Sequence, residues 1–192
     1  MPKLNPQEME RRRGRIVAAA RLCFSRDGFS DCSMDDICEQ AGLSKGAVYN
    51  HFPSKEELIY AVADEQGRSL QRLTEGKSLE EMRDSLLELF AHPLDGPDAR
   101  LEFHAMSRAF TDEGLRERMR RNASLVEEAL DGALERLEAS GQVRLRAPRK
   151  RTCDVLLVFL HGLFSRQLLG GETNVRQDFD LLLDLTMERT AG

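Results

Sequence analysis

An all-α fold is predicted for this 192-residue chain by three observations. Apolar residues recur every three or four positions through nearly every segment, caps and glycines punctuate those segments, and no alternating run is long enough to found a sheet. About nine helices result. Three belong to an N-terminal domain over residues 1–55, headed by a basic arm, and the others to a helical domain over residues 56–192.

The first helix runs from Arg15 to Arg26, carries Ile16, Ala19, Ala20, Cys23 and Phe24 on one stripe, and ends near Gly28 and Phe29. Ahead of it, Arg11, Arg12, Arg13 and Arg15 read either as a solvated helix start or as a flexible arm that follows phosphates. Ser33 with Asp36 makes a capping-box pattern for a second helix, on which Met34, Ile37, Cys38 and Ala41 share one face. Gly42 stands where a left-handed residue ends a helix, Leu43 follows as an apolar anchor, and Ser44 can cap a third helix, Ser44 to Phe52. Two short helices joined so tightly must cross steeply.

At 100° per residue, Val48 and Phe52 face inward while Lys45, Gly46, Tyr49 and Asn50 spread over the outward side. A cation, a phenol, an amide and a glycine open to close backbone approach are groups that bond phosphate oxygens or base edges in a major groove. Pro53 stops the helix. Ser54 with Glu57 caps the next one, which places Lys55 on its first turn beside free amides that suit a phosphate. The helix pair is therefore a candidate DNA-reading device.

The run GLSKGAVYNHFPSKEEL resembles the helix-turn-helix core of the tetracycline-repressor (TetR) family of bacterial transcription regulators, and the resemblance extends over residues 12 to 60. It is carried by Gly28 and Phe29, the Met34, Ile37 and Ala41 pattern, the Gly42-Leu43-Ser44 turn, and Tyr49-Asn50-His51-Phe52 followed by Lys55. It implies an all-helical second domain that forms homodimers and usually binds a small effector, with double-stranded operator DNA as partner. The DNA-binding residues are expected to be Ser33, Ser44, Lys45, Gly46, Ala47, Tyr49, Asn50, His51 and Lys55, with Arg12 and Arg13 from the basic arm. Lys45 and Tyr49 take the central contacts; Ser44, His51 and Lys55 go to phosphates. Asn50 departs from the aromatic or histidine usual in the family.

Glu56 to Leu73 continues as a connector helix with Leu58, Ile59, Val62 and Leu70 inward, the expected lever between domains. Ser78 with Glu81 starts a further helix, His92 to Pro97 breaks it, and another restarts after Pro97. Thr111-Asp112-Glu113 opens a long helix that ends at Gly141. Val143 to Leu145 is too short and too charged to found a sheet. The last two helices, separated by Gly170-Gly171, are apolar on more than one side, so a second surface must be buried. A two-fold pairing through Leu156, Phe159, Leu163, Phe179, Leu182 and Leu183 is expected, which would set two reading heads roughly 34 Å apart on a near-palindromic site.

A ligand pocket is expected among Phe90, Phe103, His104 and Ser107, together with Phe110, His161, Phe164 and Ser165, because aromatic walls with a few polar groups suit a small molecule. Net charge is −5, yet residues 1 to 28 carry seven Lys or Arg against three acidic residues. The basic end is the reading end, and an acidic body repels DNA elsewhere. The start of the chain has no apolar run for a secretory signal, and Val155 to Leu169 falls short of a membrane span, so the cytoplasm is expected.

The four cysteines, Cys23, Cys32, Cys38 and Cys153, have no metal-ligand spacing, so no metal or cofactor is expected. Packing explains Cys23 and Cys38; a redox switch through Cys32, which precedes a helix N-terminus, is the alternative. No catalytic motif is present, and an enzyme is not expected. The function expected is a sequence-specific DNA-binding transcription regulator, a repressor released by a small effector, with an architectural DNA-binding protein as the alternative.

Overall fold

Nine helices and one short two-stranded ribbon occur among the described residues of the computed structural model, which are residues 5–70, 78–90, 97–170 and 174–190. In chain order they are α1 (Pro6–Asp31), α2 (Met34–Ala41), α3 (Lys45–Tyr49), α4 (Lys55–Leu70), α5 (Leu79–Phe90), α6 (Pro97–Ala109), α7 (Glu113–Ala139), β1 (Val143–Leu145), α8 (Arg149–Leu168), α9 (Val175–Thr186) and β2 (Met187–Arg189). The end of the connector at Leu73, the break over residues 92–96 and the glycine at 171 lie outside the described residues.

The first helix starts nine residues earlier than its apolar stripe suggests. Asn5 Oδ1 accepts the Gln7 N–H at 3.2 Å, Pro6 has no N–H to satisfy, and Glu8 in the first turn pairs with Arg11 and Arg12. The expectation of a flexible arm is therefore corrected for Arg11, Arg12, Arg13 and Arg15, which are all helical. Near its other end α1 is interrupted at Gly28, whose φ of 80° and ψ of 172° fall where only glycine is comfortable.

Two compact units form. The first comprises residues 1–66 and 95–120, and the second comprises residues 67–94 and 121–192. The first unit therefore holds more than the segment 1–55. Its core joins Ile16, Phe24 and Phe29 of α1 to Ile37 of α2, Val48 of α3, Leu58 and Ile59 of α4, Leu101 of α6 and Leu115 at the start of α7. α6 lies against α1, and the His104 ring rests on Gly28, where an added Cβ would stand 3.1 Å from His104 Cε1.

The second unit has its own core, built from Leu79, Met82 and Leu86 of α5, Leu130, Leu134 and Leu137 of α7, Leu156 and Leu160 of α8, and Phe179 and Leu183 of α9. Val143 and Met187 close one end of it. They belong to the ribbon, antiparallel with Val143 opposite Arg189 and Leu145 opposite Met187. This corrects the expectation that Val143 to Leu145 founds no sheet. Three residues need a partner strand, and that strand is supplied from 42 or more positions away, as Leu145 opposite Met187 shows.

Gly28→Ala should cost about 2 kcal/mol, since it combines a disfavoured backbone with a crowded His104 ring. Thermal unfolding followed by circular dichroism should show a midpoint lowered by about 4–8 °C. An unchanged midpoint would show that the kink relaxes freely.

Candidate nucleic-acid interface

α2 begins with a reciprocal cap. Ser33 Oγ accepts the Asp36 N–H at 3.2 Å, and Asp36 Oδ2 accepts the Ser33 N–H at 2.8 Å. It ends at Gly42, left-handed at φ 59°, where Gly42 N–H reaches Glu39 O and Leu43 N–H reaches Cys38 O. Ser44 Oγ then accepts the Ala47 N–H at 3.3 Å and starts α3. α3 is shorter than the span Ser44 to Phe52, with Asn50 as its C-cap, although Phe52 N–H still bonds Val48 O at 2.9 Å. Pro53 follows directly, and it disfavours helix in the residue before it.

This local frame sorts the side chains of α3. Val48 and Phe52 are buried in the first core, whereas Lys45, Gly46, Tyr49 and Asn50 are exposed, and Ala47 and His51 are half-buried. Nothing comes within 4 Å of where a Gly46 Cβ would be, so backbone is open to close approach. Ser33 and Ser44 are exposed at the two helix starts beside it. The α3 residues read as outward from periodicity are thus the exposed ones.

All four cations of the expected set are already engaged. Lys45 Nζ lies 2.6 Å from Asp35 Oδ2, and that hydrogen bond raises its pKa. Arg13 places its guanidinium 5.2 Å from the centre of the Phe52 ring, while Arg12 bonds Glu8. Lys55 Nζ donates to Ser30 O at 3.2 Å and Cys32 O at 3.1 Å, tying the first turn of α4 to the end of α1. One of its three donors is left for a phosphate. The sequence pattern did not expose the Asp35 partner or the Lys55 anchor, because both depend on how α1, α2 and α4 cross.

A family model described as "Bacterial regulatory proteins, tetR family" matches residues 16–62, which span this whole frame. The HTH-type transcriptional repressor AcnR of Corynebacterium diphtheriae is 32% identical over 191 residues, covering 98% of this chain and 96% of that one. The chain belongs to the tetR family. It is a DNA-binding helix-turn-helix transcription regulator of the repressor class. Two solved structures share the fold: Salmonella enterica GusR, at TM-score 0.74 and 22% identity over 97% of this chain and 99% of that one, and a transcriptional regulator from Saccharomonospora viridis in complex with choline, at 0.77 and 18% over 94% and 100%.

The pocket residues expected in this TetR-family chain fall in both units. On α6, His104 packs against Gly28 and the Phe29 ring, whereas Phe103 and Ser107, and Phe110 just beyond the helix, are exposed. On α8, His161 Nδ1 lies 2.7 Å from Leu157 O, and Ser165 is exposed. The side chains of Phe90 and Phe164 lie outside the described residues. Of the described side chains in this set, none lines the groove of about 460 Å³ between α8 and α9, which is formed by Phe159, Leu163, Leu181, Leu182 and Leu185 with Arg166, Asn174 and Asp178.

The expected dimer residues divide by how deeply they are buried. Leu156, Phe179 and Leu183 are wholly buried in the second core of their own chain, so they are unavailable to a second copy. Phe159, Leu163 and Leu182 reach the groove, and among the described side chains of α8 and α9 Val158 (73% exposed), Leu181 (59%) and Leu185 (65%) are left outward. Two inward faces were legible as one broad stripe, and only packing tells which half stays wet.

All four cysteines are buried thiols. Burial pushes Cys32 up to about 12 and Cys153 up to about 11, the opposite of a reactive thiolate. The redox alternative through Cys32 rested on thiolate stabilisation at a helix start; sealing the sulfur in the core removes it. A thiol titration of native protein at pH 8 with an aromatic disulfide should find little reaction until denaturant is added. Prompt modification of one thiol would show that the core opens around it.

Proposed function

We propose that this regulator is a homodimeric cytoplasmic repressor that binds a near-palindromic operator through α3 and is released when a small organic effector binds within residues 56–192, with residues 1–55 as the reading head. The observation that carries this reading is the division of labour on α3: two side chains hold it in a core and the others, Lys45, Gly46, Tyr49 and Asn50, stand outward with groups that bond base edges and phosphates. Lys45 and Tyr49 take the central contacts beside Gly46, Ala47 and Asn50. Ser33, Ser44, His51, Lys55, Arg12 and Arg13 serve the flanking phosphates.

Pairing of two copies is supported by the apolar side chains Val158, Leu181 and Leu185 left outward on α8 and α9, which a second copy could cover. A two-fold axis there makes one self-complementary seam and sets the paired α3 helices to successive major grooves, roughly 34 Å apart. Effector control is supported by the family likeness, and the choline complex of the Saccharomonospora viridis protein illustrates a small cation held by this fold. An effector that prefers the released state by about 3 kcal/mol would weaken operator binding roughly a hundredfold.

Tyr49→Ala should weaken binding to a footprinted upstream fragment by about 1–3 kcal/mol in a gel-shift titration while leaving scrambled duplex unaffected. Equal loss on both duplexes would remove Tyr49 from base reading. Leu181→Glu should give folded monomers in sedimentation and weak DNA binding, whereas Phe179→Ala should instead unfold the second unit at a cost of about 3–5 kcal/mol. A Leu181→Glu protein that stays dimeric would move the seam away from this groove.

A further inference from the structure

Asp35 places a carboxylate on the very surface assigned above to DNA, 2.6 Å from the ammonium of Lys45. Both side chains are well exposed, 66% for Lys45 and 61% for Asp35. An ion pair so open to water contributes little to folding. α2 and α3 are in any case already joined by the Gly42 turn bonds and by Ile37 and Val48 in one core. The pair is therefore free to serve the surface that carries it.

Its chemistry is unsuited to a phosphate. A phosphate seated on Lys45 would be brought beside the Asp35 carboxylate, and the two anions repel. A base edge carries no net charge. Lys45 keeps two N–H donors that match guanine O6 and N7, and the free oxygen of Asp35 matches the amino group of a cytosine. Lys45 also lies on the first turn of α3, the part of a recognition helix that meets base edges.

We infer that Asp35 is a specificity-determining residue: by holding Lys45 it converts a general phosphate clamp into a reader of guanine, and it accepts the amino group of a neighbouring cytosine itself. The inference rests on α3 being the DNA-reading helix. With Asp35 neutralised, Lys45 becomes an ordinary cation that pairs with any backbone.

The test uses the full chain and Asp35→Asn, a change of one exposed atom pair that leaves the capping box of Ser33 and Asp36 untouched. Duplexes are selected from a random pool by each protein, and affinities for the wild-type consensus and for a scrambled duplex are measured across salt concentrations. The wild type should select a G·C pair at one position of each half-site, and Asp35→Asn should lose the preference at that position alone. Scrambled duplex should bind the variant about tenfold tighter, with a salt slope steeper by about one unit, so the ratio of specific to scrambled binding falls about tenfold. In a Lys45→Ala background, where the guanine preference is already lost, the second change should not alter that preference further.

An unaltered consensus would overturn the inference, whether both affinities rise in parallel, as a general charge effect requires, or neither moves. A wild type that selects no consensus would overturn the DNA-reading assignment of α3 and the inference with it, an outcome distinct from the other two.

Discussion

A helix of five residues cannot hold itself together in water, because the cost of its first turn is never recovered by propagation. Everything the reading face of this chain does depends on what holds α3 in place. Three devices do so: Val48 and Phe52 enter the first core, Ser44 caps the start, and the left-handed Gly42 lets α2 end two residues before that cap. Each acts from the inward side or from the ends. That is why the outward residues are relieved of structural duty and can be chosen for what they bind.

The same reasoning separates the cations. Lys55 lies close to α3 in sequence, but its ammonium binds two carbonyl oxygens at the end of α1, so part of its energy goes into fixing the angle at which α4 leaves the head. Arg13 covers the outer face of Phe52 and so shields one edge of the core. Lys45 is held only by an exposed carboxylate, a partner that leaves it mobile enough to change company. Three basic residues that a charge count treats alike thus differ in how freely they could meet a nucleic acid.

How much of this was legible follows from which interactions are local. The caps at Ser33, Ser44 and Ser78 and the turn at Gly42 involve residues three to five apart, and the sequence exposes them directly. The inward face of α3 was legible for the same reason. What escaped were the crossings. The pairing of β1 with β2, the seat of His104 on Gly28 and the membership of α6 in the first unit all join distant positions, and no periodicity encodes them. The last two helices show the limit in another form: α8 and α9 are apolar over a wide arc, and choosing Leu181 over Phe179 for the outside required knowing which arc the chain's own core consumes.

The contacts along α4 narrow how a proposed effector signal could reach α3. Tyr60 donates its hydroxyl to Asp112 Oδ1 at 2.9 Å, and Arg118 lies over the Tyr60 ring at 4.1 Å. Burial alone would raise the pKa of Asp112, but the Leu115 N–H, the Tyr60 hydroxyl and Arg108 together hold it below the usual carboxylate range, so it stays an anion and a strong acceptor. Gly114 leaves room for this arrangement, since a Cβ there would stand 2.6 Å from the Tyr60 oxygen. With Lys55 pinned one turn earlier, any displacement of α4 that keeps both contacts carries the whole first unit along and leaves the reading face unchanged. A displacement that alters the face has to exchange one of these bonds for another, which is a choice between two discrete arrangements. Under the proposed effector control, the bias on that choice is no larger than the effector's preference for one arrangement over the other.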